Sequence, residues 1–290
     1  MYNRTLEERL INGVWGLRPQ RVQGRALAFL KVASVDLDFS EEEVERYARH
    51  ILLAEIGGIG QAKLRAAGVL GVGAGGLGSP LVLYLAAAGV GTLGIVDDDV
   101  VSLSNLQRQI AHSTARIGEA KAGSAAAAAV AVNPLVRVVA HEARVTAANV
   151  SDLIADYDIV CDGTDNFAAR YVVADACQRA GRILVSAAVL RFEGQLAVFA
   201  PGGPCYRCLY PEAPPAGLVP SCAEAGVLGS VTGVMGTLQA TEVLKCILEI
   251  GETLAGRLLL WDALAMRFRI VKLAHDPECV LCGAGAGHGR

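Results

Sequence analysis

The sequence has little charge for its length. Asp, Glu, Lys and Arg make up 19% of its 290 residues, below the roughly 25% of an average soluble domain. So low a charged fraction leaves few groups to solvate the surface, and we expect an oligomer that buries part of its apolar surface. The 26 basic residues are outnumbered by 29 acidic ones. This balance argues against nucleic-acid binding, which needs clustered Lys and Arg.

The sequence also lacks the pattern of a signal peptide or a membrane span. No apolar segment followed by a small-residue cleavage site is found near the N-terminus, and Glu7 and Glu8 are atypical of a transit peptide. The uncharged stretch 66–96 is long enough to span a bilayer, but nine glycines and Pro80 divide it into strand, turn and helix. We therefore expect a cytoplasmic protein without membrane contact. Its eight cysteines are then metal ligands, nucleophiles or core residues rather than disulfides.

The order of the apolar runs predicts an α/β fold. Short strand-like runs alternate with helical segments, which is typical of a Rossmann-like, mostly parallel sheet with helices on both faces. The predicted strands are 69–72, 93–96, 136–140, 159–162 and 183–186, and the predicted helices are 77–88, 119–132, 147–155 and 166–180. Beyond residue 186 the pattern changes to antiparallel strands, at 194–199, 257–261 and 268–273, and a long helix at 227–249. A capping box, Ser40 and Glu43, predicts a helix start at residue 40.

A glycine loop follows the first predicted strand. Gly73, Gly75, Gly76 and Gly78 lie between a strand end and a helix start in a G-x-G-x-x-G pattern, and Asp97 ends the next strand. Glycines at such a turn let backbone amides approach a phosphate, and the acidic residue can bond a ribose hydroxyl. The motif alone favours a dinucleotide such as NAD, and a glycine-rich turn without a ligand is the alternative.

The residues after this loop favour Mg²⁺ and ATP over NAD. Aspartates at 97–99 would repel phosphates unless they bind ribose hydroxyls or Mg²⁺, whereas Arg108 and Lys121 supply cationic donors. Asp165 follows the fourth strand, where it is placed to coordinate Mg²⁺, and Asn166 is placed to cap the next helix or contact the nucleotide. The alternatives are an acidic loop with a solvated basic pair and a purely capping role for Asp165 and Asn166.

The cysteines form two groups of interest. The C-x-x-C pairs Cys205/Cys208 and Cys279/Cys282 can complete a tetrahedral zinc site, but about 70 residues separate them. Spacing therefore leaves redox pairs or core cysteines open as alternatives. Cys222 precedes the long predicted helix, where a helix N-terminus lowers a thiol pKa and suits a nucleophile. A small buried residue is the alternative for Cys222.

Taken together, the motifs resemble the MoeB/ThiF/HesA family, the bacterial relatives of ubiquitin-activating enzymes. The resemblance extends from about residue 40 to residue 283. The segments that carry it, in the order of the family, are 46–50, 73–78, 102–109, Lys121, 162–166, 205–208, 222–227 and 279–282. It implies an adenylyltransferase that uses Mg²⁺ and ATP to adenylylate the C-terminal Gly-Gly carboxylate of a small ubiquitin-fold sulfur carrier, with release of pyrophosphate.

The resemblance also implies roles for single residues. Asp97 would hold the ribose, Arg108 and Lys121 the phosphates, and Asp165 the magnesium ion. Arg49 would reach into the partner's site across a two-fold homodimer interface. The two cysteine pairs would share one structural zinc, and Cys222 would accept the activated carboxylate as a thioester or acyl disulfide. The other residues implied to line the nucleotide site are Gly73, Gly75, Gly76, Gly78, Ser104, Asn105, Leu106, Gln107 and Asn166.

These inferences predict the domain boundaries of the chain and the biosynthetic pathway that it serves. Residues 1–39 form an extension of unknown role, and residues 40–290 form the adenylyltransferase domain. Its nucleotide-binding half covers about 66–186, and its carrier-binding and zinc half covers about 187–283. The segments 186–195 and 262–268 are closer to MoeB, which serves molybdopterin synthase, than to the thiamine enzyme.

We therefore expect a MoaD-like carrier in molybdenum cofactor biosynthesis, with a ThiS-like carrier as the alternative. Because the chain stops soon after Cys282 without a rhodanese domain, we expect a separate sulfur donor protein. An NAD-dependent oxidoreductase is a distant alternative that leaves Arg108, Lys121 and the cysteine pairs unexplained. A zinc-stabilised nucleotide-binding scaffold is the non-enzymatic alternative.

Overall fold

The computed structural model describes residues 36–215 and 225–284. Eight strands alternate with helices along the chain. The strands are β1 (Gly68–Val72), β2 (Thr92–Val96), β3 (Arg137–His141), β4 (Ile159–Asp162), β5 (Ile183–Leu190), β6 (Glu193–Phe199), β7 (Arg257–Asp262) and β8 (Arg267–Lys272). The α-helices are α1 (Glu41–Ile51), α2 (Gly57–Ala66), α3 (Gly78–Ala88), α4 (Lys121–Val132), α5 (Val150–Ile154), α6 (Phe167–Ala180), α7 (Tyr206–Leu209) and α8 (Gly229–Leu248). The predicted α/β fold is confirmed.

All eight strands belong to one sheet, in the order β3-β2-β1-β4-β5-β6-β7-β8. Strands β1 to β5 are parallel, and Val72 at the end of β1 lies opposite Val96 of β2 and Asp162 of β4. Every residue of β1 and β4 is buried, as expected where helices cover both faces. The chain leaves β1 toward β2 on one side and returns to β4 on the other. A crevice therefore opens at the carboxyl ends of β1 and β4, which is where open α/β sheets bind ligands.

Strand β5 joins the parallel and antiparallel parts of the sheet. It pairs in parallel with β4 up to Ser186 and antiparallel with β6 from Leu184 to Leu190. Strands β6, β7 and β8 continue the antiparallel part. The predicted boundary between residues 186 and 187 thus lies inside a strand, so the two halves share one continuous sheet.

Helices α4 and α5 begin later than predicted because the residues before them form other hydrogen bonds. Helix α4 begins at Lys121 rather than at residue 119, since Val101 N–H donates to Glu119 O over 2.9 Å and Val100 pairs with Ala120. Helix α5 covers Val150–Ile154 rather than 147–155, because the Asn149 side chain accepts the Thr146 N–H at 2.8 Å and holds a turn there.

The predicted capping box is present at the start of α1, where Ser40 Oγ accepts the Glu43 N–H and Glu43 Oε2 accepts the Ser40 N–H. The helical pieces predicted at 5–11 and 21–32 lie outside the described residues. Within the described ranges, no helix is long and apolar enough to cross a bilayer.

Helix α8 packs across β5 and β6 and against α3. Glycines allow this close approach, because a Cβ on Gly236 would lie 2.4 Å from Leu77 O and one on Gly194 would lie 2.5 Å from the Met235 side chain. The first turn of α8 therefore lies beside the glycine loop that precedes α3, at the edge of the crevice.

Candidate functional site

A cavity of about 500 Å³ occupies the crevice at the carboxyl ends of the parallel strands. Many of the predicted nucleotide-site residues line it, namely Gly73, Gly75, Gly76, Asp97, Arg108, Lys121, Asp165 and Asn166. Gly78, residues 104–107 and Arg49 are absent from its wall. The structure therefore brings together residues that follow three separate strands, β1, β2 and β4, as the motifs predict.

The glycine loop at the base of the cavity needs glycine at two positions, one for its φ angle and one for a close backbone contact. Gly73 has φ of +97°, which favours glycine. A Cβ on Gly78 would lie 1.9 Å from the carbonyl oxygen of Gly73, far inside van der Waals contact. Gly75, by contrast, would place a Cβ at an ordinary 3.6 Å from Gln109 Nε2.

Gly78→Ala is therefore expected to distort the loop, lower the melting temperature and remove ATP binding. Gly75→Ala is the matched control for stability and should melt near the wild-type temperature. Differential scanning fluorimetry with and without Mg²⁺ and ATP measures both effects. Wild-type melting and ATP response in Gly78→Ala would contradict this account of the loop.

Asp97 and His112 hold the loop from two sides. Asp97 Oδ2 accepts the Ala74 N–H at 2.8 Å, and Oδ1 accepts the Asp99 N–H at 2.9 Å. Burial raises the pKa of Asp97, and these two N–H donors oppose the increase. His112 Nε2 lies 3.0 Å from Ala74 O, which can only accept, so Nε2 carries the hydrogen. Burial lowers the pKa of His112, which favours the neutral ring, with Nδ1 2.9 Å from Ser124 Oγ.

The two side chains predicted to bind the phosphates, Arg108 and Lys121, differ in their surroundings. Lys121 is buried, and its Nζ lies 2.9 Å from Asp99 Oδ2. Arg108 donates Nη1 to Ser104 O at 3.1 Å, and it forms no ion pair with any acidic side chain of the described chain. Arg108 thus has no acidic partner in the described chain that competes with a ligand, whereas Lys121 would have to divide its hydrogen bonds between Asp99 and a phosphate.

The loop after β4 is organised by the buried Asp162. Its Oδ1 accepts the N–H and the hydroxyl of Thr164 at 2.9 and 2.7 Å, and its Oδ2 accepts the Ser186 hydroxyl at 2.8 Å. Arg170, which the sequence did not indicate, donates Nε and Nη2 to Thr164 O at 3.2 and 2.6 Å. These bonds fix the backbone immediately before Asp165.

Asp165 and Asn166 have separate environments. Asp165 is exposed at the cavity wall, and within residues 36–215 and 225–284 its carboxylate has no hydrogen-bond or ion-pair partner. Asn166 Oδ1 accepts the Ala169 N–H at 2.8 Å and caps α6. Of the two roles considered for Asn166, the structure shows the helix cap.

The segment 102–107 packs beside the cavity rather than in its wall. Leu103–Asn105 form a 3₁₀ turn in which Asn105 Oδ1 accepts the Ser102 N–H at 3.1 Å, and Ser104 Oγ lies 3.1 Å from Ser102 Oγ. The carbonyl of Gln107 lies against Gly229 at the start of α8. The nucleotide contacts predicted for Ser104, Asn105, Leu106 and Gln107 remain predictions. Cys222 lies outside the described residues.

The two cysteine pairs meet away from the cavity. The Sγ atoms of Cys205, Cys208, Cys279 and Cys282 all lie within 4.8 Å of one another, and the closest pairs are 3.3 to 3.9 Å apart. A zinc ion about 2.3 Å from each of four thiolates places the sulfur atoms about 3.8 Å apart. The arrangement therefore fits a closed tetrahedral metal site.

The thiols of Cys279 and Cys282 in this cluster have shifted pKa values. Burial raises the pKa of Cys279, but the N–H groups of Leu281 and Cys282 and the adjacent thiols outweigh it and bring the pKa to about 7. Burial raises the pKa of Cys282 to about 11. A divalent cation would favour deprotonation of all four thiols, as metal ligation requires.

Helix α7, which begins after Cys205 and contains Cys208, is attached to α6. Arg207 binds Asp175 through two hydrogen bonds of 2.8 and 2.9 Å, and its guanidinium lies 4.8 Å above the Tyr171 ring. Two parallel bonds of this kind fix orientation as well as distance. The cysteine cluster is thereby linked to the helix that follows Asp165.

Comparison with known proteins identifies relatives of this chain. The ThiF family matches residues 47–281. A probable adenylyltransferase/sulfurtransferase MoeZ of Mycobacterium tuberculosis is 54% identical over 244 residues, covering 82% of this chain and 62% of that protein. An adenylyltransferase and sulfurtransferase of Bos taurus is 55% identical over 84% of this chain and 54% of its own length. This chain thus spans little more than half the length of those two relatives.

A shorter relative and a solved structure extend the comparison. A sulfur carrier protein adenylyltransferase of Thermus thermophilus is 48% identical, covering 84% of this chain and 93% of its own length. The crystal structure of E. coli MccB with MccA-N7isoASN superposes with a TM-score of 0.74 at 22% identity, covering 82% of this chain and 74% of that one. At this identity the structural likeness shows the fold.

Proposed function

The chain belongs to the ThiF family, and we propose that it is an ATP-dependent adenylyltransferase acting on the C-terminal Gly-Gly carboxylate of a small ubiquitin-fold sulfur carrier. One observation carries the proposal. The glycine loop, Asp97, Arg108, Lys121 and Asp165 line one cavity at the switch point of the sheet. The names of the relatives, adenylyltransferases and a sulfur carrier protein adenylyltransferase, support the same reaction.

The proposed reaction depends on positioning and charge neutralisation. A carboxylate oxygen of the carrier attacks the α-phosphorus of ATP, the bond from that phosphorus to the bridging oxygen breaks, and pyrophosphate leaves with the electron pair. No proton transfer is needed, so the side chains act by orienting the reactants and balancing negative charge.

Each cavity residue has a place in this reaction. Asp97 would accept hydrogen bonds from the ribose, and the amides of the glycine loop would approach the phosphates. Arg108 and Lys121 would neutralise the leaving pyrophosphate, and Asp165 offers oxygen ligands to Mg²⁺. Mg²⁺ that binds with ATP supplies further charge neutralisation.

The carrier tail has a route into the cavity from the antiparallel half of the sheet. Three residues line that side of the cavity: Val189 of β5, Val227 just before α8, and Thr232 in α8. Val227 is tied to the β5–β6 turn by a bridge to Arg191. A Gly-Gly tail has no side chains, so little space is needed for it to pass these residues. Carrier binding by the half at about 187–283 agrees with this placement.

We assign the four-cysteine cluster to a structural zinc ion. A Cys₄ site leaves no open coordination position, so the ion would hold the C-terminal segment against α7 instead of taking part in catalysis.

Cys279→Ala is expected to lose zinc and to lower the melting temperature by about 5 °C, roughly 2 kcal/mol for a chain of this length. Cys246→Ala, which alters a buried cysteine outside the cluster, is the control and should retain zinc. Metal analysis and thermal unfolding measure the two effects. Full zinc content in Cys279→Ala would overturn the assignment.

We place the reaction in molybdenum cofactor biosynthesis, with a MoaD-like carrier, a separate sulfur donor and a homodimeric enzyme. The test is ATP–pyrophosphate exchange with Mg²⁺ in the presence of a MoaD-like carrier, a ThiS-like carrier, tail-truncated forms of each, or no carrier. Exchange with the intact MoaD-like carrier alone is expected. Exchange with the ThiS-like carrier alone would contradict the molybdenum cofactor assignment and indicate thiamine biosynthesis. Exchange with neither carrier would contradict the proposed substrate.

A further inference from the structure

One buried amide in the cavity wall lacks a hydrogen-bond partner. Gln109 is 4% exposed, and its Oε1 is buried without any partner. Four other buried side-chain atoms of the described chain are also unpartnered, on Arg182, Tyr206, Gln239 and Trp261. None of those four residues lines the cavity, whereas Gln109 does. A buried amide that is left unsatisfied lowers stability, and its location beside a binding cavity indicates that a ligand satisfies it.

The backbone fixes Gln109 firmly while its side chain faces the glycine loop. Gln109 N–H donates to Asn105 O at 3.0 Å, and its carbonyl accepts the His112 N–H at 3.1 Å. Its Nε2 lies 3.6 Å from the position of a Cβ on Gly75, so the carboxamide rests over the loop backbone. The neighbouring Arg108 lines the same cavity. The backbone of Gln109 is thus held beside the glycine loop and Arg108.

We propose that the Gln109 carboxamide binds the junction between the α-phosphate of ATP and the C-terminal glycine of the carrier. This inference rests on the proposed function. When the ligands bind, the carboxamide turns so that Oε1, which is buried in the ligand-free protein, accepts the N–H of the terminal glycine while Nε2 donates to an α-phosphate oxygen. That N–H is separated from the attacking carboxylate by one carbon atom. The phosphate offers acceptors only, so the orphaned acceptor needs the donor that the tail brings.

The neutral amide suits this position for an electrostatic reason. Attack brings a carboxylate against an anionic phosphate, and a further negative charge nearby would oppose the approach. A carboxamide supplies both a donor and an acceptor without adding charge. Gln109 is in this account a substrate-binding residue whose partners are present only in the ternary complex.

Two substitutions at this position separate a binding role from a structural one. Gln109→Met keeps the side-chain length and removes both polar atoms. We expect it to lower the exchange rate by at least about 10-fold and to leave the ligand-free melting temperature unchanged or raised, because the orphaned acceptor is gone. Gln109→Glu should lose more activity than Gln109→Met, since its carboxylate would face the phosphates.

Gln239→Met is the matched control for stability. Gln239 is also a buried glutamine with an unpartnered Oε1, but its Nε2 donates to Asp162 O and Val185 O at 3.0 and 2.8 Å. The same substitution should therefore lower the melting temperature there. A fall of similar size in Gln109→Met, or wild-type exchange in that variant, would overturn the proposal.

A second readout keeps this test separate from the test of the proposed function. If the wild-type protein shows no exchange with either carrier, that result contradicts the proposed substrate but does not test the Gln109 contact. The Gln109 contact to the α-phosphate is then judged by the rise in melting temperature that Mg²⁺ and ATP produce. We expect a smaller rise in Gln109→Met than in the wild type, and an equal rise would overturn the contact.

Discussion

Asp165→Asn is expected to abolish ATP–pyrophosphate exchange while the fold stays intact. The carboxylate of Asp165 is exposed and makes no bond within the described chain, so folding does not depend on it. The backbone before it is held by Asp162 and Arg170, which fixes the direction of the side chain toward the cavity. Replacing the carboxylate with an amide removes the charge that attracts Mg²⁺, and we expect a loss of about 100-fold or more.

Asp98→Asn is the matched control for this loss. Asp98 is another aspartate of the cavity wall, but its Oδ2 is engaged with Arg144 Nε at 2.9 Å. Exchange rates are measured for both variants across a range of Mg²⁺ concentrations, with circular dichroism to check the fold. Near-normal exchange in Asp165→Asn, or an equal loss in Asp98→Asn, would contradict the assignment of the magnesium ligand.

Strands β1, β2 and β4 could be predicted because they are buried almost throughout and therefore appear in the sequence as short apolar runs. Strand β5 was predicted to end at residue 186, whereas it continues to Leu190. Its last residues pair with β6, and this pairing depends on a partner strand that local patterns do not reveal. The starts of α4 and α5 were missed for a similar reason, since pairing at Ala120 and the Asn149 side chain compete with the helix.

In the site, too, residues placed by local sequence could be predicted, whereas residues placed by contacts distant in sequence could not. The glycine loop, Asp97 and Asp165 follow strand ends, so their positions could be predicted from the chain alone. His112 and Arg170 could not, because each is bonded to a backbone carbonyl, of Ala74 and Thr164 respectively. Every residue has a backbone carbonyl, so the sequence does not show which carbonyl accepts a given hydrogen bond. The meeting of the two cysteine pairs likewise depends on the course of the chain between them, which spacing did not determine.

Arg49 is one of the predicted site residues that do not line the cavity of the single chain. It lies exposed on α1 and is absent from the cavity wall. Two large apolar side chains that follow Arg49 in the chain, Leu52 and Ile59, are 74% and 63% exposed. An exposed apolar surface beside an arginine is typical of an interface. We therefore expect two-fold pairing of chains to bury this surface and to bring Arg49 into the site of the partner.

Mixed dimers of two inactive variants test this arrangement directly. Arg49→Ala and Asp165→Asn should each be inactive alone. In a mixed dimer, the chain with Arg49→Ala keeps its Asp165 and receives Arg49 from its partner, so one of the two sites is complete. Random exchange of subunits makes half of the dimers mixed, so about one quarter of the wild-type exchange rate should return. Arg46→Ala, which alters a nearby arginine of α1 that pairs with Glu42, serves as the control and should remain active alone. If dimers shown by mass spectrometry to be mixed recover no exchange, Arg49 acts within its own chain or not at all.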